Sequence, residues 1–175
     1  MKSFLPALTL ATVLFAAAPA RATEVGYSRK LGVGLMLGDP TGFTGKYWVA
    51  QKNAIDFGLG FGFAGRQCDR YGCYGGYNSS SLNADYLWHP SVLARGAVEL
   101  DWHIGVGARL WFWDWGNRYN NHSGVVNLSI RAPIGLDLMF SNPNFLEIYA
   151  EITPAIYFYD RFLGFEGGLG IRFYF

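Results

Sequence analysis

Thirteen ionisable side chains recur at alternate positions of this chain: Lys46, Asp56, Asp85, Glu99, Asp101, His103, Arg109, Arg131, Asp137, Glu147, Glu151, Glu166 and Arg172. Brought together, such groups could move protons, conduct ions or serve as general acid and base. They could equally neutralise one another in a closed interior, because buried charges persist only when paired or hydrogen-bonded. The mixture of acids and bases, with His103 beside them, suits that second role. A further candidate is His122-Ser123, preceded by Asn120 and Asn121. A Ser/His pair with a carboxylate can activate a hydroxyl for acyl transfer. Adjacent residues do not face one side of a strand, and these two fall in a loop, so the pattern lacks the context its chemistry needs. Gly60-Phe61-Gly62-Phe63-Ala64-Gly65 fits GxGxxG, but no helix follows it, which excludes a dinucleotide site. The residues therefore imply no catalytic group, no metal and no cofactor.

The elements that would position these groups are strands. In the fifth, Val98, Leu100, Trp102, Ile104, Val106, Ala108, Leu110 and Phe112 alternate with Glu99, Asp101, His103, Gly105, Gly107 and Arg109. A helix repeats at 3.6 residues and cannot produce that split. The same alternation marks seven other segments, beginning near Leu31, Phe43, Ile55, Leu82, Val126, Leu146 and Phe165. Pro133 and Pro154 interrupt the sixth and seventh, where a bulge or bend is expected. Eight strands, an even number, predict an all-β fold: an antiparallel up-and-down transmembrane β-barrel. The composition agrees. Apolar residues make up 51% and aromatics 18% of the 175 residues, yet beyond the first twenty or so no apolar run reaches the length of a helical span, about 20 residues.

The direction of the alternation selects a membrane barrel over a soluble one. Charges of both signs and most glycines share one face, and Lys46 is the only lysine on it. Turning Arg109 or Arg131 toward lipid would cost about 2–4 kcal/mol each near the midplane. The charged face must point inward, where an eight-stranded barrel has room only for side chains. Aromatics fall near strand ends as an interfacial belt would: Trp111, Trp113, Trp115, Tyr157 and Tyr159 at one rim, and Tyr47, Trp48, Trp88 and Phe175 at the other. A net charge of +1 with no basic stripe argues against nucleic acid.

The ends of the chain fit an exported protein. Lys2, the apolar run Phe4 to Ala18 and Ala20-Arg21-Ala22 read as a signal peptide over 1–22, cleaved after Ala22, with the barrel domain over 23–175. Export makes a disulfide between Cys68 and Cys73 the expected state of those two thiols. Ile171, Phe173 and Phe175 at alternate closing positions are similar to the signal read by the outer-membrane barrel assembly machinery. With both termini in the periplasm, the two long connections 65–81 and 113–124 face outside, and 50–53, 89–95 and 141–144 face inward.

Four stretches resemble a known family: Leu35-Met36-Leu37-Gly38-Asp39-Pro40-Thr41-Gly42-Phe43-Thr44-Gly45-Lys46-Tyr47-Trp48, Asp85-Tyr86-Leu87-Trp88-His89, Arg131-Ala132-Pro133-Ile134-Gly135-Leu136, and the closing Gly168-Leu169-Gly170-Ile171-Arg172-Phe173-Tyr174-Phe175. Together they resemble an uncharacterised family of small outer-membrane β-barrels of proteobacteria and spirochaetes, a domain of unknown function, OmpA/OmpX-like in architecture. That resemblance implies a barrel in the outer membrane of a Gram-negative-type cell, in contact with its lipid, and supplies no catalytic residue. The expected role is a scaffold with a plugged lumen that presents loops 65–81 and 113–124 to an extracellular ligand, or supports the envelope. Phe112, Trp113, Trp115, Tyr119 and the segment Cys68 to Tyr77 form the expected contact surface. The alternatives are a lipid A deacylase-like enzyme using His122 and Ser123, and a narrow transport barrel.

Overall fold

Segments with one apolar and one polar face must pair edge to edge and hide one face from each solvent. The computed structural model describes residues 23–64, 67–69, 72–74, 77–114, 124–158 and 162–175. In chain order the strands are β1 (Leu31–Asp39), β2 (Gly42–Ala50), β3 (Asn53–Ala64), β4 (Gln67–Asp69), β5 (Gly72–Tyr74), β6 (Tyr77–Trp88), β7 (Val92–Ala94), β8 (Val98–Asp114), β9 (Gly124–Arg131), β10 (Ile134–Phe140), β11 (Leu146–Tyr157) and β12 (Phe162–Tyr174). β9 and β10 occupy one place, since both lie between β8 and β11. β1 pairs with β2 and also with β12, where Val33 faces Phe173. The sheet therefore closes on itself as an eight-stranded antiparallel barrel and leaves no long edge unpaired.

Neither proline produces the expected bulge. Arg131 faces Gly107 and Ile134 faces Ile104, so the register on β8 runs unchanged past Pro133. Pro154 holds its place opposite Phe165 in an unbroken ladder. Each proline loses the hydrogen bond its nitrogen would donate but keeps the one its carbonyl accepts. Gly105 N donates to Pro133 O over 2.8 Å, and Ala132 N donates to Pro154 O over 2.9 Å. The retained bonds hold the alternation in phase.

The structure also shortens the first long connection. β6 begins at Tyr77 rather than near Leu82, because Ser79 and Ser81 point into the barrel. A serine run carries no apolar alternation and so reads as loop. β8 and β9 likewise extend to pair Asp114 with Gly124. The two long connections opposite the chain ends are thus 65–76 and 115–123, and the first holds the β4–β5 hairpin. At the other end, 89–97 spans as many residues as 115–123, because β7 pairs with β8 there. The asymmetry between the ends is smaller than the sequence implies.

Thr23 and Phe175 lie at one end, called proximal below. Residues 23–30 fold into a turn against it, with Gly26 at φ +80, a value that favours glycine. Val25 packs in an apolar cluster with Trp48, Ala54, Leu87, Met139 and Tyr174. Arg29 pins the turn by donating to Tyr174 O over 3.2 Å and pairing with Glu24 at 3.1 Å. Outward, Leu37, Ile152, Phe165 and Leu169 are each more than 60% exposed. A continuous apolar band around a charged interior suits hydrocarbon and not water.

Candidate functional site

All thirteen charged or titratable residues singled out from the sequence are buried inside the barrel. Alternation places them there, and most of them pair with one another. Asp56 faces Asp85 across β3 and β6, and Asp101 faces Asp137 across β8 and β10. Like charges opposite one another are unfavourable; Arg172 and Arg131 meet the first pair, and Lys46 with the two histidines meets Asp137 of the second.

The network is built in tiers. Nearest the proximal cluster, Lys46 Nζ lies 3.2 Å from Asp137 Oδ1 and 3.0 Å from Glu147 Oε1. Arg172 pairs with Asp56 and donates to Thr44 Oγ1, with its guanidinium 3.8 Å over the Tyr149 ring. In the middle, Arg131 pairs with Asp85 at 3.1 Å, Glu151 at 2.9 Å and Glu166 at 2.9 Å. Toward the distal rim, Arg109 pairs with Glu166 at 3.0 Å and Asp39 at 3.1 Å, and donates to Ser81. Tyr157 donates to Glu166 over 2.6 Å. A mid-lumen space lined by Thr44, Asp56, Asp85 and Arg172, among others, measures about 10 Å³, close to the lower limit for one water.

The proximal end is different. A cavity of about 580 Å³ opens there, lined by Trp48, Lys52, His89, Arg95, Glu99 and Asp101, among others. Glu99 and Asp101 line this vestibule rather than the plugged tiers, and Glu99 pairs with Arg95 at 3.7 Å. At its inner end His89 Nε2 lies 3.2 Å from Asp137 Oδ2, which is also 2.7 Å from His103 Nδ1. His103 Nε2 lies 3.4 Å from Glu151 Oε2. His89 follows the last residue of β6, and its backbone N donates to Lys52 O over 2.7 Å. Burial pushes its pKa down to about 4, Lys46 adds to that, and the hydrogen bond to Asp137 opposes it.

The frame around this interior is found in a solved structure. The chain superposes on the N-terminal β-barrel domain of Pseudomonas aeruginosa OprF with a TM-score of 0.57 and 14% identity, over 84% of this chain and 98% of that one. The fold is that of an outer-membrane β-barrel. Ail, the attachment invasion locus protein of Yersinia pestis, aligns at a TM-score of 0.45 and 16% identity, over 83% of this chain and 97% of that one. No protein-family model matches the chain, and no curated protein does.

In this outer-membrane barrel fold three aromatics assigned to the belts turn out to be interior. Trp48 is 2% exposed and stacks on His89 at 4.3 Å between ring centroids. Trp111 lies under Arg109 at 3.8 Å and meets Tyr157 at 6.5 Å. Each shares the parity of the charged face, and that outweighs its position near a strand end. Tyr47, Trp88 and Phe175 do face outward. Ile171, Phe173 and Phe175 alternate on the outer face of the closing segment, paired to β1 up to Gly32 opposite Tyr174, with Phe175 N donating to Leu31 O over 2.9 Å.

The sequence reading missed His89 as an interior group. The signal was present, since His89 continues the parity of Asn83, Asp85 and Leu87. Phe112 is on the outer face near the distal rim. The β4–β5 hairpin sets Cys68 directly opposite Cys73, while the state of the two sulfurs lies outside the described residues. So do Trp115, Tyr119, His122 and Ser123, and the segment 1–22.

Proposed function

We propose that this protein is a non-enzymatic outer-membrane scaffold whose lumen is plugged and whose distal connections, 65–76 and 115–123, face the cell exterior and make its contacts. The observation that carries the reading is Arg131, held by three carboxylates across the middle of the barrel. A guanidinium does not deprotonate in proteins, so it neither relays a proton nor leaves a water-filled path. A narrow transport role loses its support there, and recognition falls to loops carried on a rigid frame. The likeness to the OprF barrel supports the location. Kinship with the small proteobacterial and spirochaetal barrels, cleavage after Ala22, and recognition of Ile171, Phe173 and Phe175 by the assembly machinery belong to the same reading.

Deleting residues 114–122 is expected to abolish binding of cells to an extracellular ligand surface while leaving the heat-shifted gel band of the folded barrel. Unchanged adhesion with the band present overturns loop-mediated binding. Mass spectrometry of lipid A from cells with and without the protein separates the enzymatic alternative. An acyl chain lost only when the protein is present, and retained with His122→Ala, would make it a deacylase.

Cys68 and Cys73 are proposed to form a disulfide across the β4–β5 hairpin. The expected result is that neither reacts with a maleimide in unfolded, unreduced protein and both react after reduction. Two reactive thiols before reduction would refute it.

A further inference from the structure

The proximal vestibule ends on His89, and two further buried side chains from neighbouring strands lie directly behind it. His89 follows β6, His103 comes from β8 and Asp137 from β10. We propose that His89, His103 and Asp137 bind one divalent transition-metal ion, with zinc the best fit, at the floor of this vestibule. The role is separate from that of the distal loops and stands or falls independently.

The donor set is the first reason. Two imidazole nitrogens and one carboxylate oxygen form a zinc site with a fourth position left for water. One ring nitrogen from each of His89 and His103 and a carboxylate oxygen of Asp137 all lie within 4.8 Å of one another. The contacts to Asp137 Oδ2, at 3.2 and 2.7 Å, lie just under and clearly under the spacing of about 3.3 Å that tetrahedral zinc with bonds of about 2.0–2.1 Å demands, so the His103 ring must draw back from that oxygen. The ion would replace the two hydrogen bonds and needs only small side-chain rotations.

The second reason is the outer shell. A metal-bound imidazole characteristically presents its other nitrogen to a carboxylate, and His103 Nε2 faces Glu151 Oε2 at 3.4 Å. Asp137 Oδ1 faces Lys46 Nζ at 3.2 Å, which leaves Oδ2 as the oxygen turned to the histidines. Lys46 opposes a nearby dication, but Glu147 shares its charge at 3.0 Å. The interior as a whole holds Asp56, Asp85, Glu99, Asp101, Asp137, Glu147, Glu151 and Glu166 against Lys46, Arg109, Arg131 and Arg172. A dication reduces that imbalance.

The third reason is access. His89 lines the vestibule, so an ion entering from the proximal side meets it without crossing the plugged tiers. Glu99 and Asp101 line the same cavity as Lys52 and Arg95, with Glu99 paired to Arg95 and Asp101 left as a carboxyl that a passing cation could meet.

The test uses untagged, detergent-folded protein stripped with a chelator and titrated with zinc by calorimetry. One zinc per folded chain is expected, with Co²⁺ substitution giving the visible absorption of a four-coordinate site. His89→Ala, altered beside the open vestibule, is expected to keep the heat-shifted band and lose stoichiometric binding. Glu151→Gln is expected to weaken binding by about 10–100-fold. If His89→Ala does not fold, the wild-type Co²⁺ spectrum decides. A folded wild-type chain that binds no zinc, a Co²⁺ spectrum without nitrogen ligation, or a folded His89→Ala variant binding as tightly as wild type overturns the proposal. His103 then only bridges Asp137 and Glu151.

Discussion

Replacing Arg131 with methionine lowers the stability of the folded barrel by about 3–5 kcal/mol, the cost of breaking a buried ion pair from one side. Arg131 is 2% exposed and is the cation that Asp85, Glu151 and Glu166 share. Methionine fills much of the volume, so the loss is electrostatic rather than a cavity. Arg109 still meets Glu166 at 3.0 Å, so the damage concentrates on Asp85 and Glu151. The measurement is the urea midpoint for unfolding from lipid vesicles, together with the heat-shifted gel band. Adding Asp85→Asn and Glu151→Gln to the variant should restore much of the loss, because it removes the unpaired charges instead of the cation. A midpoint unchanged in Arg131→Met would mean that the tiers do not hold the lumen shut.

The second large effect lies on the opposite face of the same sheet. Val106 is 48% exposed at the middle of β8, and Leu31 is 41% exposed at the proximal end of β1. Val106→Arg is expected to cost about 2–4 kcal/mol, and Leu31→Arg only about 0–1 kcal/mol, since the penalty of charge against hydrocarbon falls toward the interfaces. The same urea midpoints read both. A barrel standing in water would tolerate both substitutions equally. Equal midpoints for the two variants would therefore remove the membrane assignment of that face, whatever the interior does.

These expectations show which features were readable in the residue order. Period-two alternation needs no knowledge of neighbours, so Glu99 to Phe112 could be sorted into two faces directly. The burial of Lys46, Asp56, Arg109, Arg131 and Arg172 followed from parity and the cost of charge in lipid. Parity also reached Trp48, Trp111 and His89, yet there a cue of position competed with it. Aromatics near strand ends suggested a belt, and His89 fell at the start of the expected connection 89–95. Ser79 to Ser81 failed for a different reason, because a strand without apolar residues has no periodic signal to detect.

What the sequence determined by itself is the class of the fold and the face on which each side chain lies, because both depend on local alternation and on the solvent each face can tolerate. What only the tertiary structure decided is who meets whom. His89, His103 and Asp137 are separated by 14 and 34 residues along the chain, and they converge because β6, β8 and β10 are neighbours in a closed sheet with one particular register. Arg131 likewise serves acids from three different strands. Pairings of this kind depend on the stagger with which the barrel closes, and that stagger is set by all its strands together rather than by any one segment.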